Sequence, residues 1–137
     1  MGRFRFSLET LLQIRASQES AAAQALAQAN QDQLRCQSDL DRVMSDNRSL
    51  NDSLSEGGIA ASISVALRPG MRLNAERARA ALAAQHVVVT QRLSEWQQAK
   101  LRLSLLEKLR EARLKEHQRS ERLAEERYLD ERVIQSF

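Results

Sequence analysis

The sequence predicts an all-α fold in which two long helices pack as an antiparallel coiled-coil hairpin. Ala, Glu, Lys, Leu and Arg make up about half of the 137 residues, a bias typical of long helices and coiled coils. Aromatic residues account for only 4% of the chain, so narrow apolar seams are expected in place of a thick core. Apart from Gly2, every glycine and the only proline lie between residues 57 and 70, which divides the chain into two helical halves.

The first helix is expected to span residues 7–54. Ser7 is a favourable N-cap, and Glu9 lies in the first turn, where the helix dipole favours negative charge. Phe6 can pack against Leu11 and fix the entry of the chain into the helix.

A diluted heptad repeat predicts which face of this helix is buried. Most of its positions are apolar, and the polar ones at Glu19, Gln33 and Asn47 either set the register or face a partner chain. The predicted seam consists of Arg5, Leu8, Leu12, Arg15, Glu19, Ala22, Leu26, Ala29, Gln33, Cys36, Leu40, Val43, Asn47, Leu50 and Leu54.

A connection is predicted over residues 55–70. Gly57 and Gly58 supply the positive φ that ends a helix, and Pro69-Gly70 punctuates the chain a second time. We expect this stretch to let the second helix fold back antiparallel against the first.

The second helix is expected to span residues 71–132, within a single elongated domain covering residues 1–137. It is longer than the first, so its end projects beyond the paired region unless the connection takes up the difference. Its seam has a period of about 3.5 residues, and consists of Leu82, His86, Val89, Leu93, Trp96, Lys100 and Leu103.

No catalytic or cofactor-binding pattern is found in the sequence. The glycines lack the lysine and spacing of a phosphate-binding loop. His86 and His117 have no cysteine or histidine at the spacing of a metal site, and Cys36 is interpreted as a small seam residue. We therefore expect neither an enzyme nor a bound metal or cofactor.

The charge pattern favours a solvated protein surface over a nucleic-acid site. The net charge is +3, but acidic residues interrupt every basic run. No apolar run has the roughly 18 residues needed to span a bilayer, and Glu9, Gln13 and Arg15 interrupt the place of a secretory apolar region. A cytoplasmic interaction scaffold, with no nucleic-acid partner and no direct membrane insertion, is the class of protein that these patterns favour.

Three stretches resemble the FliJ family, small coiled-coil proteins of the bacterial flagellar type III export apparatus. They are the opening "FRFSLETLLQIR", the break near "GGI", and the ending "LLEKLREARLKEHQRSERLAEERYLDE". The resemblance covers nearly the whole chain and is densest at its two ends.

This resemblance implies a fold like the central stalk of rotary ATPases, and a function in flagellar biogenesis, motility and chemotaxis. FliJ-like proteins insert into the ring of the flagellar export ATPase and promote its assembly and coupling. They also contact the cytoplasmic part of the membrane export gate and handle export chaperones. The implied location is cytoplasmic and peripheral, at the inner face of the cytoplasmic membrane.

Two sets of partner-binding residues follow from the resemblance. The gate-end residues could equally be only seam, since family members often carry tyrosines there and this chain has none before Tyr128. The ATPase-ring end comprises Arg3, Phe4, Arg113, Arg119 and Tyr128, and the export-gate end comprises Leu40, Val43, Asn47, Leu82 and His86.

Two alternatives stay open beside the flagellar stalk. The first is the equivalent stalk of a virulence injectisome, which the sequence alone separates poorly from a flagellar one. A generic dimeric coiled-coil adaptor is suggested by the polar seam positions Glu19, Gln33 and Asn47.

Overall fold

The computed structural model describes residues 2–136, which form two helices and no strand. Helix α1 spans Glu9–Glu56 and helix α2 spans Gly58–Ser136. The two helices pack against each other in antiparallel fashion, which confirms the predicted fold class. The described residues fall into two compact units: a terminal unit of residues 2–21 and 97–136, and a turn unit of residues 22–96.

Helix α1 begins two residues later than the sequence predicts. The backbone N–H of Glu9 donates to the carbonyl of Phe6 at 3.1 Å, and the carbonyl of Leu8 accepts from the N–H of Leu12 at 2.8 Å. Leu8, and not Ser7, is therefore the residue whose carbonyl accepts the first helical bond. The side chain of Phe6 is buried, at 7% exposed, and this anchors the turn through Ser7 that precedes the helix.

The heptad seam predicted for α1 is confirmed by the burial of its side chains. Every seam position is half-buried or buried except Arg5, which lies before the helix begins. Ala29 is the most buried of them, at 4% exposed. Small side chains at such positions let the helices approach closely while burying little apolar surface.

The predicted connection over residues 55–70 is wrong. Only Gly57 separates the two helices, and residues 58–70 belong to α2. Gly57 and Gly58 have φ values of +75° and +72°, the left-handed conformation that glycine adopts without steric cost. These two residues alone reverse the chain, so no long loop is required.

Pro69 lies inside α2, although the sequence predicts that it ends a non-helical stretch. A proline within a helix removes one backbone donor and crowds the carbonyl four residues earlier, at a cost of about 3 kcal/mol. The helical path places Ser64 and Ala75, which lie on either side of the proline, at 4% and 5% exposure.

Side-chain contacts link the two helices within the turn unit. Gln85 Nε2 donates to the backbone carbonyl of Ala29 at 3.1 Å. Gln33 Nε2 lies 3.2 Å from His86 Nδ1, and Arg79 Nη2 donates to Met44 Sδ at 3.5 Å. Because later residues of α1 contact earlier residues of α2, these pairs fix the antiparallel register in this unit.

The terminal unit pairs the start of the chain with the later part of α2. Arg110 Nε donates to Glu9 Oε2 at 3.1 Å, and the rings of Phe4 and His117 lie 5.5 Å apart at 48°. Beyond these contacts, α2 continues to Ser136, four residues past its predicted end. Every described side chain from residue 122 onward is exposed.

Candidate interaction surfaces

The terminal unit carries the residues predicted for the ATPase-ring end. Phe4 is half-buried because its ring packs on His117 of α2. Arg3, Arg113 and Arg119 are exposed, and the two on α2 lie within about one helical turn of His117 along the chain. The structure therefore brings Phe4 to the part of α2 that carries Arg113 and Arg119.

Tyr128, the fifth residue of this set, lies in the exposed end of α2 and is itself 61% exposed. With Ala124, Glu125 and Leu129 it lines a shallow depression on the helix. Sequence periodicity does not single out the other large apolar side chains of this segment, since they follow no single seam. They are Leu123, Leu129, Val133 and Ile134.

We name residues 122–136 the free end of α2, because each of these residues is exposed. Its apolar side chains are distributed around the helix and alternate with Arg and Glu side chains. A helix that is polar around its circumference normally needs a partner or bridges through solvent. The free end can therefore contact a protein that surrounds it better than one that covers a single face.

The turn unit brings together three of the residues predicted for the export-gate end. Leu40, Leu82 and His86 line one shallow groove between the helices, which we name the seam groove. Gln33 contributes to the same groove through its contact with His86. Val43 is half-buried but is not among the residues lining this groove.

Asn47, the remaining residue of this set, lines a second groove of about 460 Å³ in the turn unit. Its Oδ1 atom is buried and has no hydrogen-bond partner. Arg79 lines both grooves, so they adjoin each other. The predicted gate-end residues are thus distributed over two neighbouring grooves.

An exposed apolar segment follows the turn, where the sequence analysis expected a loop. No charged residue occurs between Gly57 and Leu67. Ile59 is 81% exposed, and Ile63 and Leu67 are 56% and 53% exposed. These three residues are spaced four apart in the sequence, and because the segment is helical their side chains lie on one face.

The described residues contain no group of three or more His, Cys, Asp or Glu side chains arranged to hold a metal ion. Within the same residues, neither helix has a stretch apolar and long enough to cross a bilayer. Cys36, at its seam position, is half-buried.

These features define a two-helix coiled-coil protein whose candidate sites are surfaces for binding other proteins. The chain belongs to the FliJ family, since the family model described as "Flagellar FliJ protein" matches residues 4–137. This confirms the resemblance seen in the terminal motifs and associates the chain with the flagellar export machinery. No curated protein and no solved structure matches the chain.

Proposed function

We propose that this protein is the non-catalytic stalk of a flagellar export apparatus. It associates with the export ATPase ring, promotes the assembly and coupling of that ring, and contacts the membrane export gate and export chaperones. The observation that carries the proposal is the family match over residues 4–137. The free end of α2 and the seam groove supply two separate surfaces for such partners.

The ring contact is assigned to the terminal unit, and above all to the free end of α2. Interleaved charges such as Arg122, Glu125 and Arg127 are exposed and remain hydrated while the helix turns or slides against ring subunits. Tyr128 and Leu129, 61% and 58% exposed, supply apolar area that a partner can cover. This combination supports a specific contact that still allows the helix to move against the ring subunits.

The gate contact is assigned to the turn unit. The seam groove presents the apolar side chains of Leu40 and Leu82 beside the imidazole of His86, which can donate or accept a hydrogen bond. A protein bound to the gate in this way would work at the cytoplasmic face of the inner membrane, peripheral to it.

Binding to the cognate export ATPase tests this proposal. We expect the full chain to raise both the hexameric fraction of the ATPase, measured by light scattering, and its rate of ATP hydrolysis. The double variant Tyr128→Ser/Leu129→Ser should bind at least about tenfold more weakly, since it removes the apolar contact of the free end.

The matched control is Val65→Ser/Val87→Ser, which removes two apolar side chains of the turn unit that are 57% and 65% exposed on α2. This control should bind like the unchanged chain. Absence of binding by the unchanged chain would refute the proposal, and equal losses in both variants would refute the assignment to the free end. The same assay with an injectisome ATPase tests the alternative secretion system.

A further inference from the structure

The second groove of the turn unit has an excess of positive charge, and the proposed stalk function does not explain it. We name it the arginine groove, because Arg48, Arg68, Arg72 and Arg79 line it. Glu76 is the only carboxylate among its lining residues. The sequence contains no acidic residue from Gly57 to Ala75, so this excess of positive charge extends along the start of α2.

The four guanidinium groups form no ion pair with any described carboxylate. Arg79 instead donates to the sulfur of Met44. Other arginines of the turn unit are paired locally: Arg35 with Asp32 at 3.8 Å, and Arg92 with Glu95 at 3.0 Å. The arginine groove thus concentrates cations that the chain does not neutralise.

The rest of the groove suits a polypeptide. Met44, Leu50, Met71 and Ala75 provide an apolar lining, and methionine adapts its shape to the side chains it contacts. Asn47 also lines the groove, beside these apolar side chains. The groove therefore offers positive charge and apolar contact together.

We propose that the arginine groove binds an acidic, partly apolar segment of another protein. Carboxylates of the segment pair with the guanidinium groups, which match them in a planar, two-bond geometry. An apolar side chain of the segment packs between Met44 and Met71. The inference extends the proposed function, because the shared Arg79 joins this groove to the seam groove assigned to the gate.

Two other polyanions fit the groove less well. Single-stranded nucleic acid is usually held by stacking on aromatic rings, and no aromatic residue lines the groove. A lipid surface needs an apolar face that projects outward, whereas Met44, Met71 and Ala75 line a depression between two helices.

The test measures binding of the full chain to a fluorescent peptide that repeats Glu-Glu-Leu-Ala, by fluorescence anisotropy. We expect saturable binding that weakens as salt is added, and much weaker binding of a peptide with Gln in place of Glu. Arg68→Gln/Arg72→Gln should weaken binding at least about tenfold, because it removes two of the four unpaired cations. Met71→Ser should also weaken binding, with the charge unchanged.

The control variant is Arg35→Gln/Arg42→Gln, which removes the same charge from the same unit at two locally paired arginines. Circular dichroism verifies that all variants keep their helicity. Equal weakening by the control, or equal binding of the Gln peptide, would overturn the proposal. So would binding to single-stranded DNA, or to vesicles containing phosphatidylglycerol, that is tighter than peptide binding and is lost in Arg68→Gln/Arg72→Gln.

The stimulation of the export ATPase separates this inference from the proposed function. Arg68→Gln/Arg72→Gln leaves the terminal unit unchanged and should stimulate the ATPase as the unchanged chain does. If the chain fails to stimulate the ATPase but binds the acidic peptide through the groove, the stalk proposal fails while the groove assignment holds. If the chain stimulates the ATPase but does not bind the acidic peptide, the groove assignment fails while the stalk proposal holds.

Discussion

At the scale of single residues, the polar positions of the α1 seam differ from one another. Gln33 finds its partner within the chain, since its amide lies 3.2 Å from the ring nitrogen of His86. This position therefore needs no second chain, which weakens the case for a dimeric adaptor. Asn47 differs, because its buried oxygen is left without a partner inside the chain. Residues at equivalent heptad positions thus have different roles, and sequence spacing alone does not distinguish those roles.

Phe6 is the residue whose loss should cost the most at the start of the chain. It is 7% exposed and is the only large apolar side chain among the residues classed as buried in the described part of the chain. We expect Phe6→Ala to lower the free energy of unfolding by about 3 kcal/mol, measured by urea denaturation. Phe4→Ala, at a half-buried position, is the control and should cost clearly less. Equal losses would show that Phe6 does not anchor the entry to α1.

At the scale of the helices, local turn signals mislead where packing favours a continuous helix. The seam of α1 is predictable because heptad periodicity is written directly in the sequence. The length of the connection is not predictable in this way. Pro69 and Gly70 lower the stability of a helix locally, but they end it only when packing does not favour a continuous helix. Here α2 continues through Pro69, and Ser64 and Ala75 on either side of it are buried. Gly57 and Gly58 are the turn signals that the fold uses.

The glycines allow a direct test of this distinction. Gly57→Ala should lower the free energy of unfolding by about 1 to 2 kcal/mol, since alanine is strained at a φ of +75°. Gly70→Ala should raise it by about 0.5 to 1 kcal/mol, because Gly70 is helical and its added Cβ would meet nothing within 4 Å. Thermal and urea unfolding measure both. A destabilising Gly70→Ala would instead indicate that the chain breaks there.

The arginine groove illustrates what the sequence could not predict. Arg48, Arg68, Arg72 and Arg79 are unremarkable in a chain with 21 basic residues. They line one groove only because the chain reverses at Gly57, which sets the register of α1 against α2. A connection over residues 55–70 would have left Arg68 in a loop. The family match associates the chain with the flagellar export machinery, whereas the register determines which side chains meet.

At the scale of the whole molecule, the proposed function uses surfaces that belong to different units. The free end of α2 lies in the terminal unit, while the seam groove and the arginine groove lie in the turn unit. Few described side chains are buried, so most of the sequence is available for contact with partners. We propose that such a protein acts by joining partners, and that its central property is to bind two of them at once.

A bridging experiment tests that property most directly. Immobilised export ATPase is incubated with the purified cytoplasmic domain of the export gate, with and without this protein, and the retained gate domain is measured. We expect retention only when the protein is present, and its loss with Tyr128→Ser/Leu129→Ser, which removes apolar contacts from the free end. Displacement of the protein from the ATPase by the gate domain would show that the two partners compete for it, and would contradict the account.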